Sequence, residues 1–118
     1  MQTCIIDPEA IENLRDLNPG DNDEFLREIA GIFLDDTPQR IAELEQSLRT
    51  GDVPAFTRAA HSIKGSSSNL GAVGLRSAAG ALENEARSNG LGAVEALMSS
   101  VKAEFERARA ELNALIAR

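Results

Sequence analysis

Residues 53–71 read VPAFTRAAHSIKGSSSNLG. Asp52, just before them, is a residue type that caps helix N-termini, and Gly71 is a residue type that ends helices. Between the two, the inward positions recur at alternating steps of three and four, which is the spacing of a seam in a helical bundle. These positions are Val53, Phe56, Ala60, Ile63, Ser67 and Leu70. The stretch therefore predicts a helix over residues 53–70 with one face buried against other helices.

Two helices are predicted before this stretch. Residues 7–9 (Asp-Pro-Glu) combine a cap, a proline and an acidic residue, which is the pattern of a helix start, and a short helix is predicted over about residues 8–17. A longer apolar stripe predicts a helix over about residues 22–49. We expect a kink or a break near residues 37–38 (Thr-Pro), because proline cannot donate to the helical hydrogen-bond ladder.

Two more helices are predicted after it, over about residues 75–88 and 92–116. No segment shows the alternation typical of strands, and short loops between long amphipathic helices make successive helices antiparallel. The predicted fold class is therefore all-α. We expect residues 1–118 to form a single domain, an antiparallel up-down four-helix bundle with a short extra N-terminal helix.

The composition excludes several classes of function. The formal net charge is −7 and Lys and Arg do not cluster, so binding to nucleic acid or to an anionic membrane surface is not expected. No apolar run reaches the roughly 18 residues that a bilayer-spanning helix needs. Cys4 is the only cysteine and residues 1–10 do not resemble a secretory signal. A reducing, cytoplasmic location is the expectation that follows.

His61 is the only histidine in the chain, and it is the candidate reactive group. On a helical wheel it points roughly 130° away from the buried seam, toward solvent, and Thr57, Lys64, Gly65 and Ser68 project on the same outer side. A neutral imidazole is a nucleophile near neutral pH, and attack on phosphorus would give a phosphohistidine. Lys64 would offset the added negative charge, and Ser68 or Thr57 would offer a hydroxyl donor.

Gly65 weakens the predicted helix beside that histidine. A glycine in an exposed helix costs about 1 kcal/mol relative to alanine, and three serines follow it. Local rules are broken most often at functional sites, and a missing side chain here would let another protein approach His61 closely. The alternative interpretation is an incidental surface histidine followed by a frayed helix end.

The run of residues 61–71 resembles the signature of histidine-containing phosphotransfer (HPt) domains. That pattern is His-x-x-Lys-Gly, two small residues, then an apolar residue and Gly, and every defining position is filled here. Residues 33–38 and the order of the helices are also similar to the family.

The resemblance implies a phosphocarrier in a two-component phosphorelay. His61 would accept a phosphoryl group from the aspartyl phosphate of a receiver domain, on a response regulator or a hybrid sensor histidine kinase, and pass it to another receiver. Lys64 would be the charge partner and Gly65 would give access, with Ser68 and Thr57 as further candidates. The receiver would bring the acidic cluster and Mg²⁺, so no cofactor or metal site of its own is expected, and no phosphorylation from ATP.

Other functions stay open at this stage. A sensor-kinase dimerisation domain also carries a phosphorylated histidine, but it needs a partner chain, whereas this sequence has enough helices for a monomeric bundle. A helical adaptor would bind partners through a helix face and would not need His61. For the phosphocarrier, Leu14, Leu17, Phe25 and Ile29 are candidates for an apolar docking surface beside His61, and the alternative is that they lie in the core. A metalloenzyme bundle is disfavoured because paired Glu-x-x-His ligands are absent. Met1 suggests a free-standing protein, and a domain from a larger hybrid kinase is the alternative.

Overall fold

The computed structural model describes residues 6–17, 20 and 23–116, and this part of the chain folds into five α-helices. They are α1 (Pro8–Leu17), α2 (Glu24–Thr50), α3 (Val53–Leu70), α4 (Val73–Asn89) and α5 (Glu95–Ile116). Outside the helices, Ile6 and Ala72 form an isolated antiparallel bridge, and no strand occurs in the described ranges. The predicted all-helical class is confirmed.

The α3 helix lies between two neighbours, because α2 packs on one side of it and α4 on the other. The α5 helix packs against both α4 and α2, and α1 contacts α2 and α3. One continuous apolar core results, in which the rings of Phe33 and Phe105 join α2 to α5 with centroids 5.7 Å apart. The largest fully buried apolar side chains are Leu26, Leu44, Phe56, Ile63, Leu70, Leu75, Leu82, Val94, Val101 and Leu112. This packing fixes α3 and α4 relative to each other.

Of the kink or break predicted near residues 37–38, the break is wrong, because α2 is helical without interruption from Glu24 to Thr50, and the kink stays a prediction. Pro38 removes one N–H from the ladder, a loss of about 3 kcal/mol in a helix interior. Phe33 before it and Leu44 after it are nonetheless both buried in the same core. Burying both halves of one apolar stripe favours the continuous helix over a bend that would expose one of them.

Several boundaries differ from the predicted ones. The α4 helix begins at Val73, two residues early, and α5 begins at Glu95, three residues late. The late start follows from Val94, which is fully buried and whose carbonyl accepts the Met98 N–H at 2.8 Å. Asp7 and Asp52 cap α1 and α3 as expected, each accepting a backbone N–H at 3.0 and 3.1 Å. Asp21 and Asn22, which precede α2 and are of residue types that cap helices, lie outside the described residues, as does Cys4.

Two large apolar side chains are exposed. Leu17 is 66% exposed at the end of α1, and Ile32 is 58% exposed on α2. Ile32 is next to buried Phe33, and one residue turns a helix by about 100°, so only one of the pair can face the core. Two of the other docking candidates, Leu14 and Ile29, are partly buried against the core. Phe25 is also partly buried.

The turn between α3 and α4 is pressed against the start of α1. Gly71 has φ +71°, and its carbonyl accepts the Asp7 N–H at 2.7 Å. A Cβ at Gly71 would lie 2.6 Å from Cβ of Ala10 and 2.9 Å from Cβ of Asp7. Glycine is therefore required here twice, by its backbone conformation and by the closeness of α1.

None of the five helices combines the length and the apolar character that a membrane crossing requires.

Candidate functional site

His61 lies in the middle of α3, on the face away from the core. Its neighbours Ala60 and Ile63 are fully buried, while the His61 side chain is 64% exposed. The steps of three and four that place the buried residues inward are thus the reason that the imidazole points outward, as the helical wheel predicts.

The imidazole rests on a carboxylate from the next helix. Glu83 of α4 has a side chain that is only 2% exposed, and its Oε2 lies 3.0 Å from Nδ1 of His61. Two cations meet the same carboxylate: Nζ of Lys64 lies 2.9 Å from Oε1, and the guanidinium of Arg87 donates to Oε2 at 2.7 Å. Glu83 is therefore the centre of the site, with the three other side chains arranged around it.

Glu83 is ionised in this arrangement. Its burial alone would raise the pKa of the carboxyl group, but the polar contacts of Lys64 and His61 outweigh burial and hold that pKa below the ordinary value of 4.5. The partner of Oε1 is the Lys64 ammonium, at ion-pair distance rather than in a regular hydrogen bond. A buried carboxylate is stable only when it is paired in this way.

The ionised carboxylate assigns the protons of the His61 ring. A carboxylate can only accept hydrogen bonds, so Nδ1 of His61 must be the donor in the 3.0 Å contact with Glu83. In the neutral ring this leaves Nε2 with its lone pair, on the side of the ring away from Nδ1. Because the side chain is 64% exposed, that nucleophilic nitrogen is available to a partner protein.

Lys64 lies one turn along α3 from His61. Its side chain is 38% exposed, but its ammonium is engaged in an ion pair. It pairs with Glu83, and its stem passes over Gly80 of α4, where an added Cβ would lie 3.5 Å from Cδ of Lys64. The small residue on α4 leaves room for the lysine to cross between the helices. The structure thus brings Lys64 and His61 together through a shared acidic partner.

Gly65 faces open space. A Cβ built on it would meet no atom within 4 Å outside its own stretch of helix. No contact within the described fold therefore requires glycine at this position.

The two hydroxyl candidates are placed differently. Thr57 lies one turn before His61 and half-buried, and its hydroxyl donates to the carbonyl of Val53 at 2.8 Å, so its proton is used within α3. Ser68 is exposed, seven residues beyond His61, which is about 10 Å along the helix axis. Neither hydroxyl makes a hydrogen bond to the imidazole.

A shallow groove lies beside the imidazole. Pro54, Thr57 and Arg58 of α3 line it together with His61 and with Arg87 from α4. Arg58 is exposed, and it makes no ion pair with any residue that the structure describes. The surroundings of His61 are thus locally basic in a chain whose net charge is −7.

Sequence reasoning missed Glu83 and Arg87. One signal was present: Glu83 stands four residues after buried Ala79, inside the apolar stripe of α4, and glutamate is almost never buried without a partner. The described ranges contain no group of three or more His, Cys, Asp and Glu side chains that could hold a metal ion.

Comparisons with known proteins agree with this geometry. The model of the Hpt domain family matches residues 28–111. The crystal structure of histidine-containing phosphotransfer protein B (HptB) from Pseudomonas aeruginosa PAO1 superimposes with a TM-score of 0.85 at 30% identity, covering 96% of this chain and 95% of that one. The histidine-containing phosphotransfer protein ZmHP2 from maize gives 0.83 at 20% identity, covering 96% and 83%. The search of curated proteins returned no match.

Proposed function

This chain belongs to the Hpt domain family, and from that premise we propose that it is a phosphocarrier whose phosphorylated residue is His61. A histidine phosphotransfer role in a phosphorelay follows from the family. In the proposal, the phosphoryl group comes from the aspartate of one receiver domain and is passed to another. The observation that carries the assignment of the residue is the exposed imidazole held through Nδ1 by buried Glu83.

The transfer step uses that tautomer. The Nε2 lone pair of His61 attacks the phosphorus of the receiver's aspartyl phosphate, and a P–N bond forms as the P–O bond to the aspartate breaks. The aspartate leaves with the bonding electron pair. The ring keeps its Nδ1 proton and becomes positively charged, and the Glu83 carboxylate, already 3.0 Å from Nδ1, stabilises that charge.

Lys64 and Gly65 serve the incoming group. The Lys64 ammonium lies one turn from His61 and offsets the charge of the phosphoryl oxygens, and the open space at Gly65 lets the receiver approach. Ser68 and Thr57 are secondary candidates for hydrogen bonds to the phosphoryl group. Mg²⁺ and the acidic cluster would come from the receiver, since phosphoryl transfer needs chiefly positioning and charge stabilisation.

The partners in this proposal are receiver domains of response regulators or of hybrid sensor histidine kinases. The protein acts as a cytoplasmic monomer, without nucleic acid or membrane, and residues 1–118 form one domain. Its helices α2 to α5 form an antiparallel up-down bundle with α1 as the extra helix. The order of helix contacts supports this, because α2, α3, α4 and α5 each touch the next and α5 returns to α2.

Transfer from a phosphorylated receiver in the presence of Mg²⁺ tests the assignment, with the parent protein compared with His61→Gln. Phosphate that is labile in acid and stable in base is expected on the parent and absent from the variant. Equal labelling of both proteins would exclude His61 as the site. No transfer from any receiver of a panel would instead favour a helical adaptor.

A further inference from the structure

The charges around Glu83 do not balance before phosphorylation. Glu83 contributes −1, and Lys64 and Arg87 contribute +1 each, all within 3 Å of the carboxylate oxygens. With a neutral imidazole the cluster therefore carries one excess positive charge. Lys64 alone would be enough to neutralise Glu83, so the charge of Arg87 is not needed for neutrality before phosphorylation.

Phosphorylation of His61 would use this excess positive charge. The step adds one negative charge to the cluster, because the ring becomes positive and the phosphoryl group carries two negative charges. The sum then falls from +1 to zero when Arg87 is counted, and from zero to −1 when it is not. The cluster is thus matched to its phosphorylated state, and the guanidinium of Arg87 makes the difference.

The geometry divides the two cations between the two carboxylate oxygens. Arg87 donates to Oε2, the oxygen that also receives Nδ1 of His61, while Lys64 meets Oε1 alone. Lys64 can therefore turn toward a phosphoryl group without breaking the contacts at Oε2. Arg87 lies four residues after Glu83 on α4, so its hold does not depend on the position of α3.

We propose that Arg87 is a positioning residue for phosphotransfer, which keeps buried Glu83 neutralised and aligned under His61 while Lys64 moves to the phosphoryl group. This inference rests on the proposed function of His61. Arg87 acts through Glu83 and does not contact the phosphoryl oxygens. Its partner is thus the carboxylate in both states of the protein, whereas Lys64 exchanges one anion for another.

The test measures the equilibrium of transfer between a phosphorylated receiver and four proteins: the parent, Arg87→Met, Arg87→Lys and Arg76→Met. In Arg87→Met, buried Glu83 keeps only Lys64 as a cation, and Lys64 cannot then turn to the phosphoryl group without leaving the carboxylate unpaired, so the equilibrium is expected to shift toward the receiver by roughly tenfold. In Arg87→Lys the equilibrium is expected to lie close to that of the parent, because a positive charge is kept at this position. Arg76 is an exposed arginine of the same helix, with no ion pair among the described residues, and Arg76→Met is expected to match the parent.

A double-mutant cycle separates action through Glu83 from direct contact with the phosphoryl group. In a Glu83→Gln background, Arg87→Met is expected to change the equilibrium by less than about twofold, because the charge it served is gone. A tenfold effect that persists in that background overturns the proposal, and so does an Arg87→Met protein that equals the parent. A parent that takes no label overturns the proposed function together with this inference, whereas a labelled parent with an unaffected Arg87→Met overturns this inference alone.

Discussion

Gly65 and Gly71 lie six residues apart in the same signature, and their surroundings are opposite. A Cβ at Gly65 would meet nothing within 4 Å, whereas a Cβ at Gly71 would fall 2.6 Å from Ala10. Gly65 has an ordinary helical backbone on the outer face of α3, and Gly71 has φ +71° in the turn to α4. Gly65 leaves the surface beside it open. Gly71 is packed so closely against α1 that no side chain would fit there.

The signature thus contains a part that serves the proposed transfer and a part that serves folding. Residues 61–65 carry the imidazole, the ammonium and the open position, and residues 70–72 join α3, α4 and the start of α1. A pattern of residue types does not reveal this division. Substitutions that separate stability from transfer test it.

The largest expected effect on stability is at Gly71. Gly71→Ala is expected to lower the free energy of unfolding by about 3 kcal/mol, since it combines a left-handed backbone with a collision against α1. Gly51 has a similar φ of +73° but no atom within 4 Å of an added Cβ, so Gly51→Ala is the matched control, with a loss of about 1 kcal/mol. Urea unfolding measures both. Equal losses would show that the contact with α1 contributes nothing.

At Gly65 the expected effect on stability is smaller and opposite in sign. Gly65→Ala should raise the free energy of unfolding by about 1 kcal/mol, because alanine favours the helix and collides with nothing. Gly31 in α2 is the control, as it too has open space around an added Cβ. Transfer from a receiver is expected to slow in Gly65→Gln and not in Gly31→Gln. Identical transfer rates would remove the access role from Gly65.

The third expected effect is a loss of stability at acidic pH, and it arises from Glu83. The pKa of Glu83 is lowered in the folded protein, so its contribution to stability is present above the ordinary carboxyl value of 4.5 and is lost as the pH falls through the lowered value. Below that range the parent is expected to lose stability that Glu83→Gln does not lose. Thermal unfolding followed from pH 7 down to about pH 3 measures the difference. Parallel curves would mean that the ion pairs of Glu83 add nothing to the fold.

The sequence was sufficient for α3 and for the direction of His61, because both depend on local periodicity. Residues 53–70 are helical as predicted, and the buried seam of that helix leaves the imidazole outside. The break expected from Pro38 does not occur, because the packing of a 27-residue helix on the core outweighs one lost hydrogen bond. Local propensity carries no information about that competition.

Local periodicity did not identify Glu83 as part of the site. Glu83 is 22 residues from His61, and the two meet only because α3 and α4 pack side by side. Arg87 becomes a candidate only once Glu83 is known to be buried. A single sequence gives the residues of one helix face, whereas a site between two helices also needs their relative rotation.

The contact between Nδ1 of His61 and Glu83 would also determine which ring nitrogen carries the proposed phosphoryl group. With one ring nitrogen turned toward a buried carboxylate, phosphorus can bond only to the other, so a phosphorylated His61 would be the tele isomer and never the pros isomer. The two isomers are different compounds, because the P–N bond is made to a different ring nitrogen in each. A carboxylate on a neighbouring helix would thus decide the chemical identity of the mark that the protein carries.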